Sequence, residues 1–183
     1  MGHRDHPETI GTSGEVPDRT IVVETAEEAA VVQVPDPDRV AVLTQTTLSM
    51  DDTKEVVDAL RLRFPNLLAR NDICYATTNR QLAAKALATE VDVVLVIGAR
   101  NSSNCNRLRE VVEAAGVDAY LVNGPEEVTP QQVDGAGRIG IVSGASTPES
   151  LVEAVIAKLG PEHVVPVEVV EEDVTFVLPR ELR

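Results

Sequence analysis

Two polar segments of this sequence contain residue types that could share one chemical site. Residues 71–80 include Cys74, whose thiolate is a soft metal ligand. The run Asn101-Ser102-Ser103-Asn104 offers hydroxyl and amide groups that can hold an anion. Each segment lies where a loop should enter a helix, so both could meet at one edge of a sheet. The combination predicts a metal cluster beside a phosphorylated compound.

Small polar residues recur where predicted strands lead into helices. The runs are Thr44-Gln45-Thr46-Thr47, Asn101-Ser102-Ser103-Asn104 and Ser143-Gly144-Ala145-Ser146. In open α/β sheets ligands bind beyond the carboxyl ends of the strands, where hydroxyl groups and free backbone NH groups converge. For any single run, ordinary helix capping by Ser, Thr or Asn is the favoured explanation. Three runs with adjacent hydroxyls exceed what capping needs, and together they favour one binding pocket.

The elements that must position these runs begin in the first 70 residues. Residues 1–19 show no apolar period and are predicted to form a loop. Strands are predicted at 20–23 and 39–43, a helix at 25–32, and a turn at 35–38. A further helix opens at Asp51, has Val56, Val57, Leu60 and Phe64 at helical spacing, and ends at Pro65.

Strands and helices then alternate along the rest of the chain. Helices are predicted at 77–89, 103–115 and 148–159, and strands at 91–97, 117–122, 138–142 and 174–178. Unbroken apolar strands such as residues 93–97 are typical of parallel sheets covered by helices. The predicted fold is α/β, with small parallel-sheet lobes over 1–70 and 71–160 and a C-terminal tail over 161–183 that contains a returning strand.

Composition and charge limit the partners. The chain has 183 residues, of which 43% are hydrophobic but only 2% aromatic, so its cores must be built from aliphatic side chains. The formal net charge of −14 argues against sequence-independent nucleic-acid binding, which needs clustered Lys and Arg. A phosphorylated small molecule remains compatible, because helix N-termini and neutral hydroxyls bind phosphate without a large basic patch.

The two cysteines, Cys74 and Cys105, need not pair, and either could be a ligand or a buried apolar residue. We find no apolar stretch near 18 residues and no signal-peptide pattern in the sequence. The expected location is the cytoplasm, without a membrane partner.

Taken in order, the motifs resemble the LytB/IspH family of 4-hydroxy-3-methylbut-2-enyl diphosphate reductases. They are Gly2-His3-Arg4-Asp5-His6-Pro7-Glu8, Thr44-Gln45-Thr46-Thr47-Leu48-Ser49, Asp72-Ile73-Cys74-Tyr75-Ala76-Thr77-Thr78-Asn79-Arg80-Gln81, Asn101-Ser102-Ser103-Asn104 and Ser143-Gly144-Ala145-Ser146-Thr147-Pro148. The resemblance implies three α/β lobes around a 4Fe-4S cluster held by three cysteines. It also implies reduction of an allylic alcohol by two electrons and two protons to isopentenyl and dimethylallyl diphosphate, with a ferredoxin- or flavodoxin-type electron donor.

The resemblance assigns Cys74 as the last of the three cluster cysteines, a role that suits a thiolate. By the family's order the other two lie upstream of the segment that begins at Gly2. The chain then corresponds to part of the second lobe and to the third lobe, and a missing N-terminal lobe becomes an expected partner. Cys105 matches no family ligand and is expected to pack on a helix face.

Further roles follow from the same resemblance. His6 is expected to contact the substrate, and Glu8 to help deliver protons to the leaving hydroxyl. Thr44 is expected near that hydroxyl, as the partner of Glu8. The diphosphate is expected to be held by Ser102, Ser103, Asn104 and Ser146. Two hypotheses remain: an iron-sulfur reductase that needs its missing lobe, or a non-catalytic fragment that keeps a diphosphate-binding surface.

Overall fold

The computed structural model describes residues 1–70, 72–172, 174–175 and 177–182, and it confirms an α/β fold with small parallel sheets. The helices are α1 (Pro7–Glu15), α2 (Ala26–Val31), α3 (Met50–Arg63), α4 (Tyr75–Ala88), α5 (Ser103–Ala114), α6 (Pro130–Val133) and α7 (Glu149–Leu159). The strands are β1 (Ala41–Val42), β2 (Leu68–Ala69), β3 (Val93–Ile97), β4 (Asp118–Val122) and β5 (Ile139–Ser143). Within these described residues, no helix combines the length and the apolarity that crossing a bilayer requires.

The first part of the chain, here called the two-stranded unit, is built on β1 and β2. These strands are parallel, with Ala41 opposite Leu68. Helices α2 and α3 cover one side, and the core contains Val42, Val56, Leu60 and Phe64. Helix α3 begins because the Ser49 hydroxyl accepts a hydrogen bond from the Asp52 NH, and it ends before Pro65.

The second part, here called the three-stranded unit, is a parallel sheet in the order β4-β3-β5. All five residues of the central strand β3 are buried. Val94 and Val96 face a core shared with α4 and α5, whereas Leu95 and Ile97 face a core shared with α7. A central strand covered on both faces explains the unbroken apolar run that the sequence shows.

The two units meet at the fully buried side chain of Gln81 on α4. Its Nε2 donates to the Leu48 carbonyl at 2.8 Å, and its Oε1 accepts from the Met50 NH at 3.0 Å. The amide therefore satisfies two backbone groups at the start of α3, where helical NH groups have no partner within the helix. Ion pairs Lys85–Asp51 and Arg107–Asp52 lie at the rim of this contact.

The prediction of a loop over residues 1–19 is wrong, because α1 and a short 3₁₀ turn at Pro17–Arg19 form there. The His6 side chain caps α1, and Pro7 occupies its first position, which is a favourable start for a helix. None of the nine residues of α1 is buried, so the helix has no apolar period to reveal it.

The predicted strands at 20–23 and 39–43 are reduced to the two residues of β1. A strand is defined by its hydrogen bonds to a neighbouring strand, and these two segments are not paired with each other. The described residues of the predicted strand at 174–178 are likewise outside any strand, and Phe176 lies outside the described residues. The predicted lobe boundary at Asn71 also falls outside them, so the lobe boundaries stay predictions.

Candidate functional site

The carboxyl ends of β3 and β5 lie level with each other, since Ile97 is opposite Ser143. The loops that follow these strands therefore leave the sheet at the same edge. The first leads into α5, where the Ser102 hydroxyl accepts a hydrogen bond from the Cys105 NH at 3.3 Å. Ser102 is thus the helix cap, and the NH groups at the start of α5 face the sheet edge where an anion would be favoured.

Ser103 connects this edge to the two-stranded unit. Its Oγ lies 2.8 Å from the Thr47 Oγ1 and 3.2 Å from the Gln45 Nε2. The Gln45 amide also donates to the Thr47 hydroxyl at 2.8 Å. These three side chains form a polar cluster between the units, which we call the Ser103 cluster. Its hydroxyl groups can reorient their protons toward an incoming anion.

Asn104 is the most unusual residue at this edge. The side chain is buried, yet among the described residues neither Oδ1 nor Nδ2 has a hydrogen-bond partner. Leaving buried polar groups unpaired costs about 1–3 kcal/mol. Its neighbour is the loop after β5, because a Cβ on Gly144 would lie 3.8 Å from the Asn104 Nδ2. A buried amide without a protein partner, beside two strand ends, is a candidate group for binding a ligand or an ordered water.

Glu8 on α1 reaches the loop after β1. Its carboxylate accepts hydrogen bonds from the Thr46 NH at 3.0 Å and from the Thr46 hydroxyl at 2.9 Å. The hydrogen-bond partner of Glu8 in the structure is thus Thr46, whereas the predicted role of Thr44 beside Glu8 in proton delivery stays a prediction. The Thr44 NH instead donates to Asp72 at 3.4 Å. The Thr44 hydroxyl is buried without a partner among the described residues.

His6 caps helix α1, in addition to its predicted role in substrate contact. Its Nδ1 accepts a hydrogen bond from the Glu8 NH at 3.3 Å and so caps α1. A neutral ring that accepts through Nδ1 carries its proton on Nε2. His6 therefore has an Nε2–H donor to offer to an anionic group.

Cys74 precedes α4 and is half-buried. Its NH donates to the Thr46 carbonyl at 3.0 Å, which places the cysteine beside the loop that holds Glu8. Cys105 is different, because its sulfur packs against the backbone at Gly98 and Gly144 and is fully buried. Cys105 was expected to pack on a helix face, and it is a buried residue of α5.

The residues present do not suffice for a 4Fe-4S cluster. Cys74 offers one thiolate, whereas such clusters are held by several cysteines. In the part of the chain that the structure describes, no group of three or more His, Cys, Asp or Glu side chains could hold a metal ion. Cys105 cannot supply the missing thiolate without leaving the core of the three-stranded unit.

The structure brings most of the predicted site residues to neighbouring loops. Ser102, Ser103 and Asn104 share the start of α5, and exposed Ser146 lies on the loop that contacts Asn104. Convergence of all four on one anion remains a prediction. Gln45, Thr46 and Thr47 were missed as individual residues, although the polar run at 44–47 was a signal for them.

Comparison with known proteins supports the resemblance. The LytB protein family model matches residues 1–160. The chain is 50% identical over 187 residues to 4-hydroxy-3-methylbut-2-enyl diphosphate reductase 2 of Burkholderia mallei, covering 100% of this chain and 57% of that protein. It is also 50% identical over 188 residues to 4-hydroxy-3-methylbut-2-enyl diphosphate reductase of Aromatoleum aromaticum, covering 60% of that protein. The chain therefore spans less than two thirds of the length of these relatives.

A solved structure agrees with these sequence matches. The structure of E-1-hydroxy-2-methyl-but-2-enyl-4-diphosphate reductase from Plasmodium falciparum superposes with a TM-score of 0.83 at 34% identity, covering 88% of this chain and 51% of that chain. The family model covers more than half of the sequence, and its match includes the Ser103 cluster, Asn104, Glu8 and Cys74. By sequence and by fold, the chain belongs to the LytB family.

Proposed function

We propose that this chain supplies the diphosphate-binding and proton-donating part of a 4-hydroxy-3-methylbut-2-enyl diphosphate reductase. The observation that carries the proposal is buried Asn104, unpaired among the described residues, at the start of α5 beside the Ser103 cluster. The family relatives are named for a diphosphate substrate, which matches the anion-binding chemistry of this edge. In the cell we place this reaction in the cytoplasm, since both cysteines are unpaired.

Binding of the diphosphate is the first role. Ser102, Ser103 and Ser146 offer hydroxyl donors, Asn104 offers an amide, and α5 offers backbone NH groups at its positive end. A hydrogen bond to a charged group contributes about 1.5–3 kcal/mol, so several donors can hold the anion without a basic patch. This mode suits a protein with a net charge of −14.

Proton delivery is the second role. The reaction breaks the allylic carbon–oxygen bond, and the departing hydroxyl needs a proton to leave as water. In our proposal Glu8 donates this proton, and the support is that the Thr46 NH and hydroxyl hold its carboxylate against the loop after β1. Thr44 contributes a buried hydroxyl on the same loop, and His6 offers its Nε2–H to the substrate.

The electrons must come from outside this set of residues. In our proposal Cys74 is one thiolate ligand of the 4Fe-4S cluster, and a second polypeptide lobe supplies the others. A ferredoxin- or flavodoxin-type protein is the electron donor. The alternative function is a diphosphate-binding fragment without catalysis, which would need no cluster ligand beyond Cys74.

Anion binding is tested on the chain itself by isothermal titration with inorganic pyrophosphate. Asn104→Leu keeps the side-chain size but removes both polar atoms, and we expect it to weaken binding about tenfold or more. The matched control is Asn66→Leu, an exposed amide before β2 in the two-stranded unit. If the wild-type chain does not bind pyrophosphate, or if Asn104→Leu binds it equally well, the binding role is wrong.

Catalysis is tested in a complete reductase that carries this segment. Glu8→Gln keeps the shape of the side chain but cannot donate and regain a proton, so turnover should fall far more than substrate affinity. Glu15→Gln, an exposed carboxylate at the other end of α1, is the control. A raised KM with unchanged kcat would show that Glu8 only positions the substrate.

A further inference from the structure

A polar cavity lies beside β4, an edge strand of the three-stranded unit. Its volume is about 320 Å³, at the lower end of the range of about 300–1,000 Å³ for ligand pockets. Residues 119–121 of β4 form one wall. Helix α5 contributes Asn106 and Arg109, α6 contributes Gln132, and the loop after β3 contributes Arg100. None of these side chains was assigned to the candidate site at the ends of β3 and β5.

The outer edge of β4 presents backbone groups that β3 does not use. Among the described residues, β4 pairs with β3 on one side and with no strand on the other. The Gly98 NH donates to the Val122 carbonyl at 3.0 Å, so the backbone of Val122 faces β3. Since backbone groups alternate in direction along a strand, the NH and carbonyl groups of Ala119 and Leu121 point outward, toward the cavity that these residues line.

One carboxylate of the chain already binds at this edge. Asn123 is the next outward-facing position, and its NH donates to the Glu127 Oε2 at 3.1 Å. The Arg100 Nη2 donates to the same oxygen at 2.7 Å. The carboxylate is thus held by one outward backbone NH and one arginine, and hydrogen bonds assisted by charge are about twice as strong as neutral ones.

Arg109 offers a second position of the same kind beside Leu121. Its Nε is buried and has no hydrogen-bond partner among the described residues. Its ion pair with Glu113 spans 3.9 Å, which is too long for a hydrogen bond. A guanidinium binds a carboxylate best through two parallel NH groups, so Arg109 and the outward NH of Leu121 together suit a further carboxylate.

Charge and symmetry restrict the occupant. In the described part of the chain, the residues that line the cavity include two arginines and no carboxylate, although the whole chain carries a formal net charge of −14. The cavity is therefore a local exception that favours negative charge. A second copy is disfavoured, because two-fold pairing through β4 brings the arginines of both copies to one five-residue edge.

We propose that the outer edge of β4 docks an extended acidic segment of a partner protein. The segment adds a strand to the sheet through the outward groups of Ala119 and Leu121, and one of its carboxylate side chains binds Arg109. In this mode of recognition the main-chain hydrogen bonds give affinity and the side-chain contacts give specificity. The proposal does not depend on the reductase activity.

The test uses two fluorescein-labelled peptides, the acidic peptide Val-Glu-Val-Glu-Val-Glu-Val and its neutral counterpart with Gln at each Glu position. Seven residues span roughly 23 Å when extended, enough to cover β4. Fluorescence anisotropy with the chain should show saturable binding of the acidic peptide at concentrations up to about 1 mM. The neutral peptide should bind about tenfold or more weakly, because it lacks the carboxylate for Arg109.

Two variants locate the contact. Arg109→Gln should weaken binding of the acidic peptide about tenfold or more and leave binding of the neutral peptide almost unchanged, because the lost interaction needs both partners. Arg61→Gln, an exposed arginine on α3, changes the net charge equally and is the control. Leu121→Pro removes an outward NH at a position where an edge strand tolerates proline, and it should weaken both peptides. Far-UV circular dichroism checks that each variant is folded.

Four results would overturn the proposal. The first is no binding of the acidic peptide, or equal binding of both peptides by the wild type. The second is an equal loss for both peptides in Arg109→Gln. The third is displacement of the acidic peptide by equimolar inorganic phosphate together with no effect of Leu121→Pro, which would make the cavity a site for free anions. The fourth is a dimer in sedimentation that Leu121→Pro dissociates, which would make a second copy the occupant.

Discussion

Replacing Gln81 by Leu should separate the two units energetically while leaving each unit intact. Leu has a similar volume, so the change creates little cavity, but it removes both hydrogen bonds to the start of α3. The Leu48 carbonyl and the Met50 NH then lose their partner. Leu48 is only 4% exposed, so water cannot readily replace the bond to its carbonyl.

The expected magnitude follows from these two groups. A buried backbone group left unpaired costs about 1–3 kcal/mol, and the half-buried Met50 NH should cost less than the Leu48 carbonyl. Together they predict a loss of about 2–4 kcal/mol in the free energy of unfolding. The ion pairs at the rim cannot compensate, because exposed pairs contribute about 0–1 kcal/mol each.

Urea denaturation followed by far-UV circular dichroism measures this loss. Gln131→Leu, an exposed residue of α6, is the control and should remain within about 0.5 kcal/mol of the wild type. Separate unfolding of the units in Gln81→Leu, seen as a broader transition, would agree with the reasoning. A Gln81→Leu chain as stable as the control would refute it.

Three further predictions concern the site and the amino terminus. After anaerobic reconstitution with iron and sulfide, the isolated chain should not retain a stoichiometric 4Fe-4S cluster through gel filtration. A retained cluster, detected by absorbance and electron paramagnetic resonance, would contradict this prediction. Asn104→Leu should raise the free energy of unfolding by about 1 kcal/mol in anion-free buffer, because an unpaired buried amide is removed, and an unchanged or lower urea midpoint would count against an unpaired Asn104. Burial lowers the pKa of the Met1 amino group below its usual value of 8.0, so between these two values the unfolded chain binds more protons than the folded chain. The free energy of unfolding should therefore rise with pH over this window, and amino-terminal acetylation should abolish the rise. An identical pH dependence after acetylation would exclude Met1 as its source.

The sequence predicted the three-stranded unit well because its signals are local. Strand β3 is an unbroken apolar run, and α7 ends at Gly160, which adopts the left-handed conformation that such helix ends favour. The predicted helices in this unit differ from the observed ones by one or two residues at their ends. These helices and strands are recognisable because the apolar pattern and the end signals lie within each element.

The two-stranded unit was harder to predict because its signals depend on distant partners. Helix α1 buries no residue, so only its cap and Pro7 mark it. The apolar residues 20–23 have strand composition, but a strand also needs a neighbour. At the site, the hydrogen bonds from Thr46 to Glu8 depend on how α1 lies against a loop almost 40 positions away, which periodicity does not encode.

The tight packing around Cys105 determines which movements the site can make. A side chain on either Gly98 or Gly144 would collide with the Cys105 sulfur, so the loops after β3 and β5 are locked to α5. Asn104 and the loop of Ser146 are therefore held against the same side chain, Cys105. A movement of one unit against the other would have to break or shift the two buried hydrogen bonds of Gln81 at the start of α3, so this one side chain links the geometry of the two units.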